Sequence, residues 1–88
     1  MISESILITN EKGLHLRPVT ILCQSAAGFQ SRVTLSFHDK TIDGKSLLSV
    51  LAAGLRCGDR VLLTCDGPDE KEAMDCLLGL FQSDFVVS

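Results

Sequence analysis

His15 and Arg17 stand two residues apart in the run Gly13-Leu14-His15-Leu16-Arg17-Pro18. An imidazole and a guanidinium so placed can handle a phosphoryl group, the ring nitrogen as its nucleophilic acceptor and the planar fork on its oxygens. The residues next in the chain support this. Val19, Leu22, Cys23 and Ala26 are apolar at i, i+3, i+4 and i+7, which predicts one buried face of a helix over residues 16–27. Pro18 falls in its first turn, where an absent N–H costs little. His15 is then at or next to the N-cap. Free backbone N–H groups and the positive end of the helix dipole converge there, favouring an anion such as phosphate. The plain alternative is a capping or surface histidine, and six residues alone do not decide between the two.

The elements that must position this run can be read from periodicity. Residues 4–9 carry Ile6 and Ile8 on one side and end in the polar loop Thr9-Asn10-Glu11-Lys12-Gly13, a strand leading into the site loop. Gly28 is placed to end the first helix in a left-handed cap, with Phe29 supplying the hydrophobic contact that often accompanies such caps. Val33, Leu35 and Phe37 alternate over residues 32–37, and residues 40–43 resume as a strand after His38-Asp39. That predicts a tight hairpin, with His38 as a turn residue rather than a second chemical histidine. Gly58-Asp59 makes a turn, and Val61, Leu63 and Cys65 alternate as the last strand. Asp69 with Glu72 resembles a capping box opening a final helix to residue 82, whose buried stripe is Ala73, Met74, Leu77, Leu80 and Phe81. Phe85, Val86 and Val87 form an apolar tail. The order β-α-β-β-α-β-α, with strands apolar on one side, predicts one mainly antiparallel sheet covered by helices on its single buried face.

Asp43-Gly44-Lys45-Ser46-Leu47-Leu48-Ser49-Val50-Leu51 is the second informative stretch. Gly-Lys-Ser invites a nucleotide-binding reading, but the P-loop needs a glycine at position 39, which is Asp39. Ser46 serves instead as the N-cap of a short helix to about residue 53, with Gly54 ending it. Leu47, Leu48, Val50 and Leu51 are too many for one inward face of so short a helix. Some must be exposed, and a small exposed apolar patch is most simply a docking surface.

Composition sets outer bounds. The 88 residues suit one small domain, 1–88, with an apolar fraction of 45% and a charged fraction of 22%. A net charge of −3 with scattered Lys and Arg argues against a nucleic-acid partner. With no signal-peptide pattern and no run of 18 apolar residues, the expectation is a cytoplasmic chain without direct membrane insertion. Cys23, Cys57, Cys65 and Cys76 have no C-x-x-C spacing and no nearby histidine, so neither a metal site nor a redox motif is indicated, and free thiols are expected.

Three landmarks, Gly13-Leu14-His15-x-Arg17-Pro18, Gly44-Lys45-Ser46-Leu47-Leu48-x-Val50 and Gly67-x-Asp69-Glu70, stand in this order across nearly the whole chain. In them the sequence resembles the family of histidine-containing phosphocarrier proteins (HPr) of the phosphoenolpyruvate-dependent phosphotransferase system. The resemblance implies an α+β fold, an open-faced β-sandwich in which a four-stranded antiparallel sheet carries three helices on one side. It implies a phosphocarrier rather than an enzyme, without a cofactor and monomeric. His15 would take a phosphoryl group from Enzyme I on Nδ1 and pass it to an EIIA domain in sugar uptake. Arg17 and the backbone N–H groups of Leu16 and Arg17 would hold the group, and Leu16, Thr20, Leu47, Leu48 and Leu51 would dock partners. Ser46 matches the serine modified by HPr kinase/phosphorylase, which with a transcriptional regulator completes the implied partners.

Leu16 and Val19 depart from the family pattern, which has small alanines there, and Thr20 is also unusual. Two other readings therefore stay open from the sequence. One is a regulatory paralogue such as a nitrogen-related carrier, which the ending Leu80-Phe81-Gln82-Ser83-Asp84-Phe85 resembles, whereas Gly44-Lys45-Ser46 leans toward the kinase-regulated branch. The other is an interaction module that binds partners without phosphorylation. A self-sufficient enzyme is disfavoured, because no acid–base pair, metal cluster or nucleotide loop is evident.

Overall fold

The computed structural model describes residues 1–85. Its elements run β1 (Ile2–Leu7), α1 (Leu16–Ala27), β2 (Arg32–Phe37), β3 (Lys40–Asp43), α2 (Leu47–Ala52), β4 (Arg60–Asp66) and α3 (Glu70–Gln82). The strands form one sheet in the order β1-β4-β2-β3, and all three pairings are antiparallel.

Alternation explains the sheet's two faces. Ile6, Val33, Leu35, Ile42, Val61, Leu63 and Cys65 point inward and are buried. Ser3, Thr64, Thr34 and Asp43 lie in register on the other face, which stays open. Slipping β4 by one residue would turn Leu63 and Cys65 outward and bring Thr64 and Asp66 in. Each fully buried aliphatic side chain stabilises by about 1.5–3 kcal/mol, so the register is strongly held. The helices close the apolar face with Val19, Leu22 and Ala26 from α1, Val50 from α2, and Ala73, Met74, Leu77 and Phe81 from α3. Among the described residues, no helix is long and apolar enough to cross a membrane.

Several local expectations change. β1 starts and stops two residues early, because its ladder with β4 runs from Ile2–Cys65 to Leu7–Arg60. Ile8 is still buried, its N–H donating to Asp59 O and its carbonyl accepting from Gly58, both at 2.8 Å. Gly28 is not left-handed; its φ is −75°. The helix instead tightens into a 3₁₀-type end, with Gly28 N–H on Ser25 O and Phe29 N–H on Ala26 O. Phe29 is half-buried against the core. In the hairpin turn only His38 takes positive φ, at 54°.

The capping box at Asp69 does not form. Its carboxylate accepts from Gln30 N–H and Ser31 N–H at 2.8 Å each and from the Ser31 hydroxyl, tying the start of α3 to the loop before β2. These bonds, the Ser31 hydroxyl first, hold the carboxyl below its usual range. Phe85 is buried and meets Phe81 edge-on at 4.9 Å, while Val86 and Val87 of the apolar tail lie outside the described residues. The four cysteines are free: Cys23 and Cys65 are buried, and that burial raises their thiol pKa.

Candidate functional site

A close backbone approach sets the site loop. Gly13 has φ +68°, and a Cβ on it would stand 2.6 Å from Leu55 O and 2.9 Å from Arg56 Cα. Only glycine suits both the conformation and the space. Leu14 comes next, with its side chain buried and its N–H on Leu55 O at 3.0 Å. The chain reaching His15 is thus clamped against the loop between α2 and β4.

His15 is the N-cap of α1, with extended backbone (φ −95°, ψ −173°) and no capping bond from its side chain. Its carbonyl accepts from Val19 N–H at 3.1 Å and its own N–H is turned back to Gly13 O. The imidazole is exposed and, among the described residues, has no hydrogen-bond partner. Leu16 and Arg17 are the first two helical residues, so their N–H groups have no intrahelical acceptor, and Pro18 has no N–H to satisfy. The first turn holds no acidic residue. Nothing in that turn neutralises the positive end of the dipole, which favours an external anion. The Arg17 guanidinium is exposed and, among the described residues, forms no ion pair. Thr20, half-buried, spends its hydroxyl hydrogen on Leu16 O at 2.7 Å rather than facing outward as a donor.

Ser46 caps α2, its Oγ accepting from Ser49 N–H at 3.3 Å. Lys45 fixes the approach to that helix by donating from Nζ to Phe29 O at 2.7 Å, next to the end of α1. The apolar residues of α2 divide as expected: Val50 is buried, Leu51 half-buried, and Leu47 and Leu48 are 37% and 78% exposed. Leu16, on the first turn of the contacting helix α1, is 60% exposed. Exposed leucines therefore open both helices.

Sequence reasoning missed the supporting partners of the site, Leu55 and Arg56. Glycine and Leu14 beside His15 signal a special backbone, but nothing local says which distant segment they touch. Among the described residues no group of three or more His, Cys, Asp or Glu side chains is arranged to hold a metal ion.

A family model described as the PTS HPr component phosphorylation site matches residues 2–83. The phosphocarrier protein HPr of Cupriavidus necator is 40% identical over 85 residues, covering 97% of this chain and 96% of that one. The HPr of Treponema pallidum is 32% identical, with 97% of each chain covered. The crystal structure of HPr-C-His from Thermoanaerobacter tengcongensis shares 33% identity and a TM-score of 0.94, covering 100% of this chain and 99% of that one. Taken with the anion-ready helix start, these likenesses show that the chain belongs to the HPr family of phosphocarrier proteins, which carry a phosphoryl group rather than act as enzymes.

Proposed function

We propose that this protein, in the cytoplasm, accepts a phosphoryl group on His15 from phospho-Enzyme I of the phosphoenolpyruvate-dependent phosphotransferase system and delivers it to EIIA domains in sugar uptake. The observation that carries this reading is the start of α1. An exposed imidazole at the N-cap, two N–H groups without an intrahelical acceptor, an acid-free first turn and Arg17 converge there.

In acceptance, the lone pair of the neutral His15 Nδ1 attacks phosphorus in line. The P–N bond of the donor phosphohistidine breaks, and its electron pair returns to the donor ring. Delivery to an EIIA histidine repeats the step with His15 as the leaving group. The transition state is loose, with charge on three equatorial oxygens, so catalysis is mostly positioning and charge stabilisation. The Leu16 and Arg17 N–H groups supply donors fixed before the reaction begins, and the exposed Arg17 guanidinium adds a charged fork for the phosphoryl oxygens.

Leu16, Leu47 and Leu48 form the exposed part of the docking surface, with Thr20 and Leu51 at its half-buried margin. A small apolar patch suits partners that must meet and separate quickly. Phosphorylation of Ser46 by an HPr kinase/phosphorylase would place about two negative charges beside Leu47 and Leu48 while remaining favourable at the helix N-terminus. It would weaken Enzyme I docking and would present the protein to a transcriptional regulator.

The test is a relay. Labelled phosphoenolpyruvate, Enzyme I and this protein are combined with a purified EIIA domain, and label on the EIIA is measured. Wild type should pass label and His15→Ala should pass none; label reaching EIIA through His15→Ala would contradict the reading.

A further inference from the structure

The loop that clamps Gly13 brings the backbone of a second arginine, Arg56, close to the site. Arg56 Cα would lie 2.9 Å from a Cβ on Gly13, and His15 is two residues further along the chain. One C–C bond and two Cα steps added to that distance bound the Arg56–His15 Cα separation at about 12 Å. Both side chains are exposed. At 0.1 M salt the Debye length is about 10 Å, close to that upper bound, so a charge on Arg56 can reach a group carried by His15.

Arg56 starts from a fixed position. Its N–H donates to Asp59 Oδ2 at 2.8 Å, its carbonyl accepts from Asp59 N–H at 3.0 Å, and Gly58 closes the turn with φ +95°. The Asp59 carboxylate is thereby directed to backbone. Among the described residues, no carboxylate forms an ion pair with the Arg56 guanidinium. The Arg56 backbone is thus fixed near the anion-ready helix start, its guanidinium is without an acidic partner among the described residues, and the first turn of α1 holds no acidic residue to compete for it.

We propose that Arg56 is a second phosphate-binding cation of the site: its guanidinium, from the α2–β4 loop, and that of Arg17, from α1, flank the phosphoryl dianion carried on His15. This rests on the reading of His15 as the acceptor. Arg56 makes and breaks no covalent bond; it stabilises charge on the oxygens.

The test uses the wild-type protein, Arg56→Gln and Arg56→Lys, each phosphorylated on His15. Phosphorus NMR tracks the second ionisation of the phosphoryl group on the isolated phosphoprotein, and the acceptance rate from Enzyme I is measured against salt. Because the side chain is exposed, both variants should fold. Arg56→Gln should shift the phosphoryl ionisation to higher pH and slow acceptance several-fold at low salt, with the gap closing as salt rises. Arg56→Lys should recover most of both. A wild-type ionisation in Arg56→Gln overturns the proposal even if the rate falls, because the loss would then lie in partner contact. If wild type takes no phosphoryl group at all, the acceptor reading fails and this one with it; if wild type is phosphorylated and Arg56→Gln is unchanged, only this one fails.

Discussion

Gly13 and Gly54 form a natural pair for separating backbone strain from steric exclusion. Their φ values are +68° and +63°, yet a Cβ on Gly54 meets nothing within 4 Å, whereas one on Gly13 collides with Leu55 O at 2.6 Å and Arg56 Cα at 2.9 Å. Alanine in left-handed conformation costs about 1–2 kcal/mol, offset by about 0.4–1 kcal/mol from the stiffer unfolded chain. Gly54→Ala should therefore lose between about 0 and 1.6 kcal/mol. Gly13→Ala carries the same strain plus an overpacking cost of about 1–3 kcal/mol, because its obstacles are backbone atoms that cannot rotate aside. In a domain of this size, the difference places its Tm about 5–20 °C below that of Gly54→Ala. Urea titration gives both values, and an unchanged slope shows that the same surface is exposed. Acceptance on His15 should fall with Gly13→Ala, since the site loop must leave Leu55, and persist with Gly54→Ala. Equal midpoints and equal acceptance for the two variants would refute the close-approach account.

Ser46→Ala should cost about 0.5 kcal/mol, the low end for a lost N-cap, because the Ser49 N–H contact is long at 3.3 Å; Ser46→Asp should keep that stability in urea titration yet slow transfer from Enzyme I. Leu48, 78% exposed, should change stability by less than about 0.5 kcal/mol on mutation to alanine while raising the KM for Enzyme I. Val50→Ala, at a fully buried position, should do the reverse and destabilise by about 1.5–3 kcal/mol. The Asp69 carboxyl is held below its usual range, first by the Ser31 hydroxyl and then by Gln30 N–H. Its contribution is thus complete above the unfolded carboxylate value of about 3.9 and is lost as pH falls through the lower native value. Urea midpoints measured from pH 6 to pH 2 should show that loss in wild type and a flatter profile in Asp69→Asn.

What could be seen in the sequence was local. The spacing of Val19, Leu22, Cys23 and Ala26 with Pro18 places His15 at a helix start, and Ser46 before four apolar residues announces its cap; both emerge as expected. Gly28 misled because a glycine after a helix permits a left-handed turn without requiring one, and the 3₁₀-type bonds to Ser25 and Ala26 satisfied the end first. Asp69 misled for the opposite reason. Its neighbours suit a capping box, but the better donors, Gln30 and Ser31, are 39 and 38 positions away. The clamp of Gly13 on Leu55 and Arg56 was hidden in the same way, since only the folded sheet and helices bring those segments together.

The most direct test of the central claim is the intact mass of the protein after incubation with Enzyme I and phosphoenolpyruvate, read before and after acid treatment for wild type and His15→Ala. Wild type should gain the mass of one phosphoryl group, which acid should remove, and His15→Ala should gain nothing. No gain in wild type with an active cognate Enzyme I, or an equal gain in His15→Ala, would contradict that claim.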